Sequence, residues 1–367
     1  MKNEPTPDTQ LFNKIAELIE TARQKAATAV NLTMVYTYFD IGRMIVEDEQ
    51  QGKIRAGYGK HVLKDLSKRL TEKFGQGFSQ QNLRNMRQFF MVYSDRASSI
   101  RQRASSKLQN SDNQLINSDQ AGYTSALVFT LSWSHYAVLM RIENPNERRF
   151  YEIESTQQNW SESHLKRQYH SSLYERLALS RDKEEVMKLA THGQTMSKAA
   201  DILKNPLTLD FLGLEEKVAY SESDLEHAII TKIQQFLLEL GKGFLFEARQ
   251  KRFTFDEEHF YVDLVFYNRL LQCYVLIDLK TDKLVHQDLG QMQMYVNYYD
   301  RNVKLAYEKP TIGILLCKKK NDAIVELTLP EDANIYATEY NLYLPDKQLL
   351  QQKLTEWLLE FDSEDGE

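Results

Sequence analysis

Between residues 260 and 280 the chain places charge where a buried strand should carry none. Residues 271–279 are almost continuously apolar, with Tyr274, Val275, Leu276 and Ile277 in succession, and end in Asp278-Leu279-Lys280. A run of this kind fits a strand covered on both faces. The preceding run, 260–267, is rich in aromatic and β-branched residues and carries Asp263 between Val262 and Leu264. A buried carboxylate without a partner is costly, and sharing a divalent cation removes that cost. Asp278 and Lys280 are two apart, so on a strand they point to the same side. Asp263, on the neighbouring hairpin strand, can face Asp278 across the pair. The pattern predicts two hard oxygen ligands for a divalent ion with an ammonium group beside them. Phosphodiester hydrolysis needs such parts: a metal that activates water and a cation that orients it or offsets developing charge.

Asp263, fourteen residues, then Asp278-Leu279-Lys280 resembles the PD-(D/E)xK nuclease signature, although Val262 stands where the broad pattern has proline. The expected element order fits that fold's core of helix, three strands, helix, strand: a helix over 223–240, strands over 244–255, 260–267 and 272–279, a helix over 288–299 and a strand over 311–317. Gln291-Met292-Gln293-Met294-Tyr295 looks like the Q-x-x-x-Y motif of the second core helix. The segments FLLELGKGFLFEARQ, DLVFYNRLL and GQMQMY are similar to the bacterial YhcG-type proteins, as are GYGKHVLKDLS, GFSQQNLRNMRQF and LSWSHY nearer the start. That family joins an uncharacterised helical N-terminal domain to the nuclease domain, and the resemblance covers most of the chain.

The resemblance implies an α/β, restriction-endonuclease-like domain preceded by a mostly α-helical, helix-turn-helix-like domain. It implies a metal-dependent endonuclease that hydrolyses DNA to leave a 5′-phosphate, in DNA repair, recombination or phage defence. Mg²⁺ or Mn²⁺ would be held by Asp263, Asp278 and the backbone carbonyl of Leu279; hard oxygens and the lack of a Cys/His cluster favour these ions over zinc. Lys280 would position the attacking water, and Gln291 would contact the substrate phosphate or a metal-bound water. Tyr295 is expected either at the nucleic acid or in the core. The first core helix often supplies a third acid, for which Glu226 is the candidate and Glu247 a lesser one. Ser223-Asp224-Leu225-Glu226 is also a capping-box pattern in which Glu226 would bond back to Ser223, and both readings stand. The alternative for the whole chain is a catalytically silent nucleic-acid-binding scaffold in a restriction or defence complex. A homodimer is expected, as in many nucleases of this fold.

The net charge of −6 excludes a chain that is basic throughout. Its distribution is uneven: residues 54–110 hold twelve Lys/Arg against three acids, a net of +9 suited to a phosphate backbone. Within it, residues 60–74 are amphipathic, 75–78 form a Gly-containing turn, Ser79 is a good N-cap, and 80–93 continue as helix. That is a helix-turn-helix layout, with Lys60, Lys64, Gln81, Arg84 and Arg87 as candidate nucleic-acid contacts. Any αα-hairpin with a polar outer face would look the same.

The expected organisation is a disordered start (1–10), a helical DNA-binding domain (11–181) with a mobile insertion at 94–125, a connecting segment (182–214), the nuclease domain (215–360) and an acidic tail (361–367). Aromatic residues Trp133, Tyr136, Phe150, Tyr151 and Trp160 are expected to close the N-terminal core, and the last helix to cover the sheet or meet another subunit. Two cysteines, Cys273 and Cys317, both in expected core strands, fit reduced thiols and a cytoplasmic protein. No uncharged apolar run approaches a membrane span and no apolar signal region opens the chain, so no membrane partner is expected.

Overall fold

The structure, a computed structural model, describes residues 7–51, 58–96, 128–179, 183–196, 198–204, 206–214, 220–255, 257–320, 322–330 and 333–364. Most of the expected insertion, with Arg101, Arg103 and Lys107, lies outside these, as do residues 1–6, 365–367 and the side chain of Lys60. The chain divides into two compact units, Met1–Arg148 and Arg149–Glu367.

In the first unit, α1 (Pro7–Gln51), α2 (Tyr58–Phe74) and α3 (Gln80–Val92) precede the short α4 (Trp133–Leu139). Ser79 caps α3, its hydroxyl accepting from the Asn82 amide at 3.2 Å. Leu63 of α2, Leu83 and Met86 of α3, and Ile45 of α1 form one buried cluster. Phe39, Phe89, Phe129 and Tyr136 form an aromatic one, with ring centroids 4.9–5.8 Å apart. The helices α1 and α3 cross with almost no space at Gly42, where an added Cβ would lie 2.0 Å from the Met86 carbonyl oxygen. Backbone cannot yield as a flexible side chain can. Gly42→Ala is therefore expected to destabilise this unit by about 3 kcal/mol, the upper end for overpacking, read as a lowered urea midpoint of its transition.

The division falls inside α5 (Pro145–Gln157). In the second unit α6 (Glu162–His170), α7 (Leu173–Ala178) and α8 (Lys183–His192) come before the two-residue strand β1 (Leu207–Thr208). Residues 149–179 of the expected N-terminal helical domain (11–181) make their contacts within this unit. Tyr151 shows why: its hydroxyl donates to the Gln168 carbonyl at 3.1 Å, and Gln168 in turn donates to the Leu238 carbonyl at 3.4 Å. Phe150, Tyr151 and Trp160 thus serve the second unit's core, whereas Trp133 and Tyr136 serve the first.

Next come α9 (Glu222–Thr231) and α10 (Ile233–Leu240), the single expected helix broken at Lys232. They are followed by β2 (Phe244–Phe255), β3 (Glu258–Asn268), β4 (Cys273–Lys283), α11 (His286–Asn302) and β5 (Ile312–Lys319). Residues 322–339 add the short α12 (Asp322–Thr328) before the strand β6 (Ile335–Asn341), and α13 (Lys347–Glu364) ends the described chain. The sheet order is β1-β6-β5-β4-β3-β2, antiparallel across β2-β3-β4 and parallel beyond. This is the α/β, restriction-endonuclease-like arrangement. Val275, Ile277 and Leu279 of β4 join Leu225, Ile229 and Phe236 from α9 and α10 in one core cluster. Leu276 joins Leu289, Met292, Tyr295 and Tyr299 from α11 in another. β4 is therefore covered on both faces, as its unbroken apolar run requires. α13 packs on α7: Lys347 pairs with the buried Glu175 at 2.7 Å.

Candidate active site

The site forms where the ladder between β3 and β4 stops. The last registered pair is Leu264↔Ile277; one step further along the same register, Asp263 stands opposite Asp278. There the Asp263 carboxylate takes over a ladder role, Oδ2 accepting from the Leu279 amide at 2.8 Å. Asp278 is 3% exposed. Its Oδ2 lies 2.9 Å from the Lys280 ammonium, which also sits 3.6 Å from Glu222 at the start of α9. Burial pushes the Asp278 carboxyl up to about 7, and the Asp263 charge adds to that push while Lys280 opposes it. On Lys280 burial alone would lower the pKa; the carboxylates of Asp278 and Glu222 override it and keep the ammonium charged.

Glu226, also buried, reaches the same place from α9. It is not the helix cap. The capping box is Ser221 with Asp224, two residues earlier than the alternative pattern: the Asp224 amide donates to Ser221 Oγ at 3.1 Å and the Ser221 amide to Asp224 Oδ2 at 3.0 Å. That leaves Glu226 to face the sheet, where Arg249 Nε lies 3.4 Å from Oε1 and Gln250 Nε2 donates to Oε2 at 2.6 Å. The same Gln250 nitrogen donates to Asp263 Oδ1 at 2.9 Å. Arg249↔Leu264 and Lys251↔Val262 flank it, so Gln250, Asp263 and Asp278 form one row across β2, β3 and β4. Glu247, exposed on β2, is instead electrostatically coupled to Tyr274 and Tyr299.

Gln291 of α11 is exposed and donates to the Tyr295 hydroxyl at 2.5 Å. Tyr295 itself is 1% exposed, and burial pushes its phenol up to about 12. The structure corrects the expectation of a direct nucleic-acid contact here: Tyr295 is a core residue that props Gln291.

Asp278 Oδ2 and Glu226 Oε1 are buried and are met by the cations of Lys280 at 2.9 Å and Arg249 at 3.4 Å. A hard divalent cation also suits a set of carboxylate oxygens of this kind. The donor set fits such an ion, yet no ready-made group of three or more His, Cys, Asp or Glu is assembled among the described residues. Glu226 and Asp263 are instead already engaged with Gln250. Sequence reasoning missed Gln250, Arg249 and Glu222; only the register across the hairpin would have pointed to the first.

On the first unit's helices, Lys64, Gln81 and Arg84 are exposed. Gln81 donates to Asn85 at 3.1 Å along the same face of α3. Arg87 is not free: its guanidinium pairs with Glu49 of α1 at 2.7 Å, which tethers α3 to α1.

Carboxylates and a lysine gathered where the strands of a restriction-endonuclease-like sheet part define a nuclease of the PD-(D/E)xK class. Comparison with known proteins agrees. Residues 14–176 match the DUF1016 N-terminal domain and residues 200–355 the YhcG PDDEXK nuclease domain. The chain is 37% identical over 354 residues to "Putative nuclease YhcG" of Escherichia coli (strain K12), covering 94% of this chain and 93% of that protein. The chain belongs to the YhcG family of PDDEXK nuclease-domain proteins. Two solved structures align with part of the chain at 18% identity: a repair endonuclease from Pyrococcus abyssi, with a TM-score of 0.23, and an EndoMS–dsDNA complex, with a TM-score of 0.25. Each match covers 36% of this chain and about half of the other, 50% and 49%. No described helix is long and apolar enough to cross a membrane.

Proposed function

We propose that this nuclease is a divalent-metal-dependent endonuclease acting on DNA. One observation carries the reading: Asp263 and Asp278 meet where the ladder ends, with Lys280 2.9 Å from Asp278. Asp263, Asp278, the Leu279 carbonyl and Glu226 would hold Mg²⁺ or Mn²⁺. Bound there, such an ion supplies Lewis acidity that activates water and stabilises charge on the phosphate. Lys280, anchored by Asp278 and Glu222, orients the attacking water and offsets the charge that develops. Gln291, held by Tyr295, offers its amide to the substrate phosphate. A nucleic acid is favoured over small phosphodiesters by the +9 segment, and duplex DNA by the polar face of α3, where Gln81 and Arg84 stand exposed.

A second reading, a nucleic-acid-binding scaffold without catalysis, is favoured by the engagement of Glu226 and Asp263 with Gln250. One experiment separates the two: labelled single-stranded, duplex, flapped and four-way-junction DNA, with Mg²⁺, Mn²⁺ or EDTA, using wild type and Asp278→Ala. The endonuclease cuts at least one substrate with metal, not with EDTA, and loses that activity in the variant. Binding without cutting under every metal would leave the scaffold.

A further inference from the structure

Glu226 and Asp263 come from different elements, a helix and a strand, and like charges brought together repel. The Gln250 amide nitrogen joins them, 2.6 Å from Glu226 Oε2 and 2.9 Å from Asp263 Oδ1. A primary amide has two N–H donors, enough for one bond to each carboxylate. The nitrogen therefore stands between two of the carboxylates assigned above to a divalent ion. Its backbone is unusual as well. Gln250 has φ +44° inside β2, in the left-handed region that a side chain with a Cβ rarely adopts. Strain of this kind persists where the surroundings enforce it and gathers at functional sites. The neighbours of Gln250, Arg249 and Lys251, are both paired with β3. Gln250 is exposed, so its side chain has solvent to move into.

We propose that Gln250 is a built-in occupant of the cation site: its amide clamps Glu226 to Asp263 until a divalent ion displaces it. The proposal rests on the metal-dependent reading, and it accounts for two carboxylates being joined through one amide nitrogen. The side chain acts as a competitor, so losing it should tighten cation binding. A tethered ammonium in its place should abolish that binding.

The test is calorimetric titration with Ca²⁺ in the absence of DNA, beside Tm measurement in EDTA, on wild type, Gln250→Ala, Gln250→Gly and Gln250→Lys. Gln250→Ala should lower the Ca²⁺ Kd about tenfold and lower the Tm in EDTA, because two carboxylates lose their shared donor. Gln250→Gly removes the same clamp and also the backbone strain, so it should bind Ca²⁺ as tightly as the alanine variant from a more stable start. Gln250→Lys should match or exceed the wild-type Tm in EDTA and bind no Ca²⁺. Unchanged or weaker Ca²⁺ binding in both the alanine and glycine variants overturns the proposal and leaves the nuclease reading standing. No divalent-ion binding in wild type, Gln250→Ala and Gln250→Gly alike overturns both.

Discussion

Lys280→Met is expected to lower the DNA cleavage rate by about 10²–10³-fold, the usual cost of losing one electrostatic stabiliser, while the chain stays folded and still binds Ca²⁺. The ammonium is held in place by Asp278 at 2.9 Å and Glu222 at 3.6 Å, so the wild-type group is fixed before substrate arrives. Its removal also takes away the charge that opposes the rise in the Asp278 pKa, so the Ca²⁺ titration is run at alkaline pH, where that carboxylate is ionised. Asp278→Ala behaves differently, because it deletes a ligand and the lysine's anchor together: cation binding and cleavage should fall in parallel. The comparison uses single-turnover cleavage and Ca²⁺ titration on the same preparations. Lys280→Arg should rescue little, since a planar guanidinium does not replace a compact ammonium in a half-buried slot. A Lys280→Met rate within a few-fold of wild type would remove the lysine from the chemistry.

The parts of this site that were legible in the sequence are those whose position follows from local pattern. Asp278 and Lys280 end an apolar strand, and their alternation survives in the structure because β4 is regular until the shift after Lys280. Asp263 is legible through the hairpin, since the register that pairs Leu264 with Ile277 sets it opposite Asp278. Glu226 was ambiguous because two capping patterns overlap by two residues. The helix begins at Glu222, so Ser221 and Asp224 make the box and Glu226 is released to the sheet. Gln250 was illegible for a definite reason: it reaches Asp263 only after a register shift between Phe246 and Ala248 and with a left-handed residue in mid-strand. Neither leaves a pattern of period two.

Longer-range choices were hidden altogether. Arg87 looked like a free arginine on the polar face of α3, but its partner Glu49 lies 38 residues earlier. Residues 149–176 fall within the match to the N-terminal domain, as the sequence pattern grouped them, yet their contacts are made within the sheet-bearing unit, and amphipathic periodicity shows that a face is buried without showing against what. Those contacts include a buried polar network whose members are scattered from Glu154 to Lys242.

The centre of that network gives the largest stability effect. Arg176 and Glu239 are both fully buried, 2.6 Å apart and 63 residues apart in sequence. Arg176 also donates to the carbonyls of Ser171 at 2.8 Å and Pro206 at 2.9 Å, and Glu239 accepts from the Thr208 amide at 3.0 Å. Burial alone would raise the Glu239 pKa; Arg176 and Lys204 override it and hold it at about 2. Breaking such a pair leaves a buried charge without its counterion, so Glu239→Ala should cost about 3–5 kcal/mol, read as a lowered urea midpoint of the second unit's transition. Replacing both partners by apolar residues, Arg176→Met with Glu239→Leu, should cost less than either single change, because no charge is then stranded. The pH dependence follows from the sign of the shift. Glu239 has a folded pKa of about 2 against an ordinary 4.5, so its contribution is present above 4.5 and is lost as pH falls from there toward 2. Glu239→Gln should flatten that part of the acid-unfolding profile. Single variants within about 1 kcal/mol of wild type, near the typical effect of any mutation, would mean that apolar packing alone fixes residues 149–214 to α10.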